Sequence, residues 1–87
     1  MDIIDIGQEI TRIVADHSGK KREDIQGYTN LSSDLSLDSL DKIEIIMEIE
    51  EVFNLEIPDD EAEKCYNVGD AINLVRSKLH RWKIDKI

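Results

Sequence analysis

Cysteine and proline occur once each in these 87 residues, and the aromatic residues are one tryptophan, two tyrosines and one phenylalanine. Cys65, alone, rules out an internal disulfide framework and suits a reducing compartment, so the cytoplasm is the expected location. Tyr28, Tyr66 and Trp82 are too scattered to form a platform for stacking bases. Histidine is scarce too: His17 and His80 are far apart, and neither has a cysteine at ligand spacing, so no metal centre is expected. Asp59, Asp60, Glu61 and Glu63 are clustered, but not at the spacing of a calcium-binding loop. Basic residues are outnumbered 11 to 20, giving a net charge of −9. Nucleic acid is therefore a poor partner and basic protein surfaces are good ones. No apolar stretch approaches the roughly 20 residues of a membrane span, and no signal peptide is visible, so no membrane insertion is expected.

What is present is helical periodicity. A 40% hydrophobic share supports a globule, and this length suits one domain with a modest core. Ile3, Ile6, Ile10, Ile13 and Val14 recur at helical spacing behind the acidic Asp2 and Asp5, and Gly19 is a natural stop, so a first helix should end near His17. From Ser18 to Asp38 the chain has turn-formers and no sustained period. Ile25, Leu31, Leu35 and Leu37 are spaced to pin this long connection to a core, with a short turn at Lys21 to Ile25. Farther on, Pro58 is well placed to precede a short helix over Asp59 to Lys64. Asn67 should cap a last helix with Asp70 three residues on; Val68, Ala71, Ile72, Val75 and Leu79 form its buried stripe, and Trp82 extends it. The expected fold is all-α: a small four-helix bundle of three longer helices and one short one, with a long first loop, forming a single domain over 1–87 in which 80–87 is a basic, partly ordered tail.

The chemistry centres on Asp34-Leu35-Ser36-Leu37-Asp38-Ser39-Leu40-Asp41 and the helix it opens, expected from Ser39 to Phe53. Asp38 is placed to cap that helix and Asp41 adds a second favourable charge, which leaves the Ser39 hydroxyl at the positive end of the macrodipole. A phosphodiester built there would be favoured by backbone donors and dipole alike. No G-x-S-x-G elbow surrounds the serine and neither histidine is near in sequence, so it reads as a residue to be modified and not as a nucleophile. Along the helix, Ile46, Ile49 and Phe53, widened by Ile45 and Val52, form a face for a core. Leu40, Ile43 and Met47 form a second apolar row, fenced by Asp41, Glu44, Glu48 and Glu51. Such a row is costly to leave in water unless something docks on it. Fourteen of the 20 acids lie between Glu23 and Glu63, where Lys42 is the only base, so the field there steers basic partners.

These residues resemble the central segment of acyl carrier proteins: Asp34 to Asp41, then Ile43 to Met47, Ile49-Glu50-Glu51 and Phe53 to Asp59. The likeness extends through Asp60 to Lys64, to Val68 and Ala71-Ile72, and more weakly back to Ile6. The family's D-S-L serine falls on Ser39, flanked by Asp38 and Leu40. The resemblance implies that a phosphopantetheinyl transferase attaches 4′-phosphopantetheine there from coenzyme A, and that the arm's thiol carries acyl groups as thioesters to fatty-acid, polyketide or related enzymes. It implies a monomeric, non-catalytic carrier. Docking on basic patches of its partners is assigned to Asp38, Leu40, Asp41, Ile43, Glu44, Met47, Glu50, Glu51, Asp59 and Glu63, and shelter of the acyl chain to Ile46, Ile49, Phe53, Ala71 and Ile72.

Several positions depart from the family's pattern. Ser36 stands where glycine is usual, so its backbone has either an ordinary φ or a strained turn. Ser18 and Lys20 replace apolar residues, and Cys65 replaces an aliphatic one, where it serves as a small core hydrophobe. These changes suggest a specialised carrier. The alternatives are a peptidyl or D-alanyl carrier, with the acids of the central helix expected to be sparser in peptidyl carriers, and an acidic helical adaptor that never receives a prosthetic group.

Overall fold

Each helix begins just after a short polar residue or a proline: Asp5, Asp38, Pro58 and Asn67. The computed structural model describes the backbone of residues 5–86 and the side chains of residues 5–79, so the expectations for Asp2, Ile3 and the Trp82 side chain lie outside the described residues. Helix α1 spans Ile6–Ser18: the Asp5 carboxylate accepts from the Gln8 N–H at 3.1 Å, and Gly19, at φ 77°, closes the far end in the left-handed conformation that glycine adopts without strain. Its buried face is Ile10, Ile13, Val14 and Ala15.

The connection from Gly19 to Asp38 has one 3-10 turn, Arg22–Asp24, yet it is ordered by specific bonds. Ile25, Leu31, Leu35 and Leu37 are all buried. The Asn30 side-chain oxygen accepts from Ser32 and Ser33 N–H, both at 2.8 Å, and the Asp34 carboxylate accepts from Asn30 N–H at 2.8 Å. These are the local turn bonds for which Asn and Asp are suited. The loop then bonds to the start of the last helix: Leu31 N–H donates to Tyr66 C=O at 2.9 Å, Val68 N–H to Thr29 C=O at 3.1 Å and Gly69 N–H to Gly27 C=O at 2.7 Å. The last approach favours glycine at 69, because a Cβ there would lie a tight 3.0 Å from the Gly27 oxygen. The loop's backbone groups are thus satisfied without a sheet.

Helix α2 spans Ser39–Phe53 and ends at Asn54, φ 53°. After it, Pro58 leads into α3, Asp59–Ala62, shorter than the expected Asp59 to Lys64 and without a buried residue of its own. Cys65, just past α3, is buried in the core. Helix α4 spans Val68–Lys86. Asn67 caps it, accepting from Asp70 N–H at 2.7 Å, while the Asp70 carboxylate accepts from Asn67 N–H at 3.2 Å. Helix α1 packs against both α2 and α4, and Val68, Ala71 and Val75 bring α4 into the common core. Three longer helices and one short one make the four-helix, all-α fold, and no strand occurs among the described residues. Nor is any helix among them long and apolar enough to cross a membrane.

Charged pairs join the helices at two places. On α1, Arg12 bonds Glu9 at 2.9 Å and Asp16 at 3.0 Å and reaches Glu48 of α2 at 3.7 Å. His17 Nε2 lies 2.9 Å from the same Glu48. Lys78 of α4 meets Glu61 of α3 at 2.6 Å. The α1–α2 cluster is half-exposed, so each of its pairs is expected to add no more than about 1 kcal/mol.

Candidate functional site at the start of α2

The mouth of α2 is built by a reciprocal cap. Asp38 accepts from Asp41 N–H at 2.8 Å, and Asp41 accepts from Asp38 N–H at 3.2 Å. Both carboxylates are thereby engaged, and the first turn is fixed. Ser39, the first helical residue, is exposed. Its hydroxyl makes no hydrogen bond among the described residues. Immediately upstream, Ser36 takes φ 58° with its N–H donating to Ser32 C=O at 3.0 Å. Of the two conformations expected for Ser36, the left-handed one is adopted, at a cost of about 1–2 kcal/mol for a residue with a Cβ. That turn buries Leu35 and Leu37 on either side of it while leaving Asp38 and Ser39 outside.

Among the described residues no general base attends Ser39. His17 is held by Glu48, nine residues or about 13 Å of helical rise beyond it. The side chain of His80 lies outside the described residues. The hydroxyl is therefore presented but not activated.

Two apolar rows run along α2 and meet opposite fates. Ile45, Ile49 and Phe53 are 2%, 0% and 8% exposed, whereas Leu40, Ile43 and Met47 are 63%, 55% and 58% exposed. The inner row is centred differently from the expected one: Ile45 is buried, whereas Ile46 is half-buried and packs against the core from its edge. Ile46 instead lines a groove of about 420 Å³ between α2 and α3, along with Ser39, Lys42, Ile43, Met47 and Glu50 from α2 and Ile57, Asp59, Ala62 and Glu63 from the far wall. Of the five residues assigned to an acyl pocket, only Ile46 reaches this groove. Ile49, Phe53 and Ala71 are buried in the core, and Ile72 packs against it half-buried.

The acids assigned to docking are not equivalent. Glu44 and Glu51 are exposed. Glu50 is half-buried, and its carboxylate accepts from Ile57 N–H at 2.7 Å, tying the end of α2 to the segment entering α3. Asp41 is committed to the cap. Glu48, which was read as part of the outer fence, instead turns to α1. Asp59 and Glu63 stand on the opposite rim of the groove. Among the described residues no three of His, Cys, Asp and Glu come together as a metal site. The Cys65 thiol is buried, and burial first, then Asp70 and Glu61, raises its pKa above the ordinary thiol value, which makes it inert at neutral pH.

Two features of the site were not read from the sequence. One is Lys42 on the groove wall, signalled only by its position three residues after Ser39. The other is the His17–Glu48 pairing, which joins residues distant in the chain and leaves no local signal.

Comparison with known proteins agrees with this geometry. A family model described as "Phosphopantetheine attachment site" matches residues 8–75. Two proteins named "Acyl carrier protein", from Rickettsia bellii strains RML369-C and OSU 85-389, are 41% and 42% identical over 71 residues, covering 82% of this chain and 83% and 88% of theirs. A solved structure titled "Novel Structural Components Contribute to the High Thermal Stability of Acyl Carrier Protein from Enterococcus faecalis" superposes with a TM-score of 0.73 at 30% identity, covering 83% of this chain and 91% of that one.

Proposed function

Because the chain belongs to the acyl carrier protein family, whose prosthetic group is 4′-phosphopantetheine, we propose that Ser39 is the residue that receives the arm. The supporting observation is an exposed, unbonded hydroxyl on the first residue of a firmly capped helix. The residues fit the group: the arm's phosphodiester would lie at the positive end of α2, and no described residue covers the hydroxyl against a transferase. The arm's terminal thiol supplies the acyl-carrying chemistry. The chain's own part is to present, steer and shelter, so it acts as a carrier and not as a catalyst.

Leu40, Ile43 and Met47 form the contact ledge for partners, with Glu44, Glu51, Asp59 and Glu63 as its exposed charges. Asp38, Asp41 and Glu50 contribute field while also holding the backbone. The partners are the transferase and acyl-transfer or synthase enzymes with basic docking patches. An acyl chain would enter by the groove at Ile46 and reach Ile49, Phe53, Ala71 and Ile72 by parting α2 from α3. The chain works in the cytoplasm as one carrier domain over 1–87 and as a monomer. The dense acids of α2 favour an acyl cargo over the peptidyl alternative, and the family match and the named relatives disfavour a D-alanyl carrier and an adaptor without a prosthetic group.

The test is Ser39→Ala, incubated with coenzyme A and a broad-specificity transferase. The expected result is complete loss of the mass gain with the helical circular dichroism of the unmodified protein retained. A variant that still gains one arm would move the site elsewhere.

A further inference from the structure

Lys42 is the only base between Glu23 and Glu63, a stretch with fourteen acids. Within the described residues it makes no ion pair. Its ammonium group donates instead to the neutral Ser32 hydroxyl, at 3.3 Å on the exposed side of the first loop. The acids next to it at the start of α2 are already occupied, since Asp38 and Asp41 bond each other's backbone, and farther along the groove Glu50 bonds Ile57. Asp59 and Glu63 are across the groove. An isolated cation in so negative a field, left on a weak neutral acceptor, is set for an anion that has not yet arrived.

Position points to which anion. Lys42 follows Ser39 by three residues, so the two side chains stand on one face of α2 with Cβ atoms about 5–6 Å apart, and both line the α2–α3 groove. We propose that Lys42 is a positioning residue for the arm: its ammonium group leaves Ser32 and pairs with the phosphodiester attached to Ser39, holding the root of the arm over the groove that contains Ile46. The Ser32 hydroxyl offers the ammonium group only a dipole, whereas the phosphodiester adds the attraction of a full opposite charge, so the exchange runs toward the phosphate. The proposal rests on Ser39 as the attachment residue. It goes further in predicting an ion pair made by Lys42, and a ledge whose one positive charge is neutralised when the arm is in place. The modified protein would then present a more uniformly negative face than the unmodified one, because the phosphate's single charge offsets the one cation of that face.

The experiment uses the whole chain, unmodified and phosphopantetheinylated, as wild type, Lys42→Gln, Lys42→Arg and the control Lys20→Gln, which removes an exposed lysine outside the acidic stretch. Intact mass first establishes loading. The ³¹P resonance of the arm and the melting temperature of each form are then measured at low and high salt. The expected result is a ³¹P resonance displaced in Lys42→Gln relative to wild type and Lys20→Gln, with Lys42→Arg resembling wild type and the displacement shrinking as salt screens the pair. Modification should also raise the melting temperature of wild type by about 2–4 °C more than that of Lys42→Gln, the size expected of one half-exposed pair in so small a domain. Loaded proteins with identical ³¹P resonances and identical melting increments would overturn the role of Lys42 while leaving Ser39 standing. A wild type that takes no arm on Ser39 would overturn both.

Discussion

Ile43 and Ile45 are the same residue type two positions apart on one helix, and one is 55% exposed while the other is 2% exposed. The inner row of α2, continued by Ile49 and Phe53, packs against α1 and joins the core that α4 also enters. The outer row, Leu40, Ile43 and Met47, is left in water on a surface fenced by acids. The difference teaches that apolar content in α2 serves two purposes that periodicity alone cannot separate. One row stabilises the fold, and the other is kept open for something outside it.

The comparison is most sharply tested by truncating each row. Ile49→Ala should cost about 2–5 kcal/mol, a large part of the stability of a domain this size, read as a fall in the urea midpoint. If the loss were under 1 kcal/mol, the inner row would not be the core. Next in size is the charge fence. Glu51→Lys should slow association with a basic partner roughly tenfold at low salt, with the difference fading at high salt; Glu44→Lys should act likewise, less cleanly because Glu44 also lies 3.9 Å from His17 Nδ1. A rate indifferent to charge and salt would remove the steering role.

Smaller effects concern the backbone and the buried thiol. Ser36→Gly should stabilise the unmodified protein by about 0.5–1 kcal/mol, because glycine relieves the left-handed strain but loses more freedom on folding; chemical denaturation would show it, and a destabilised variant would mean that the Ser36 side chain has a role of its own. For Cys65, burial raises the folded-state pKa above the unfolded one. The folded state therefore holds the proton more tightly, and the associated stability is present below the unfolded thiol value of about 8.5 and is lost as pH rises through the folded value. Cys65→Ala should flatten that alkaline decline, whatever its cost at neutral pH. Least of all, Ile43→Ala and Met47→Ala should change stability by no more than about 0.5 kcal/mol each, while weakening partner binding measurably by titration calorimetry.

The limits of α2 were legible because Asp38, Asp41 and the apolar period are local signals. The burial of Ile25, Leu31, Leu35 and Leu37 was legible as spacing, but the bonds that order the loop join it to Tyr66, Val68 and Gly69, and no local pattern announces a pairing across that distance. Ile46 and Ile45 were indistinguishable as core candidates, since adjacent helical residues differ by about 100° and only the placement of α1 and α3 decides which is covered. Glu50 read as a surface charge because nothing upstream shows that Ile57 N–H needs an acceptor. Ser39 was the most legible position of all: its exposure follows from a cap written in adjacent residues.

The most direct measurement is the mass of the intact protein after incubation with coenzyme A and a broad-specificity transferase, followed by fragmentation to locate the change. The account predicts the gain of one phosphopantetheine, carried entirely on the fragment containing Ser39. An unchanged mass, or an arm found on any other residue, would contradict it.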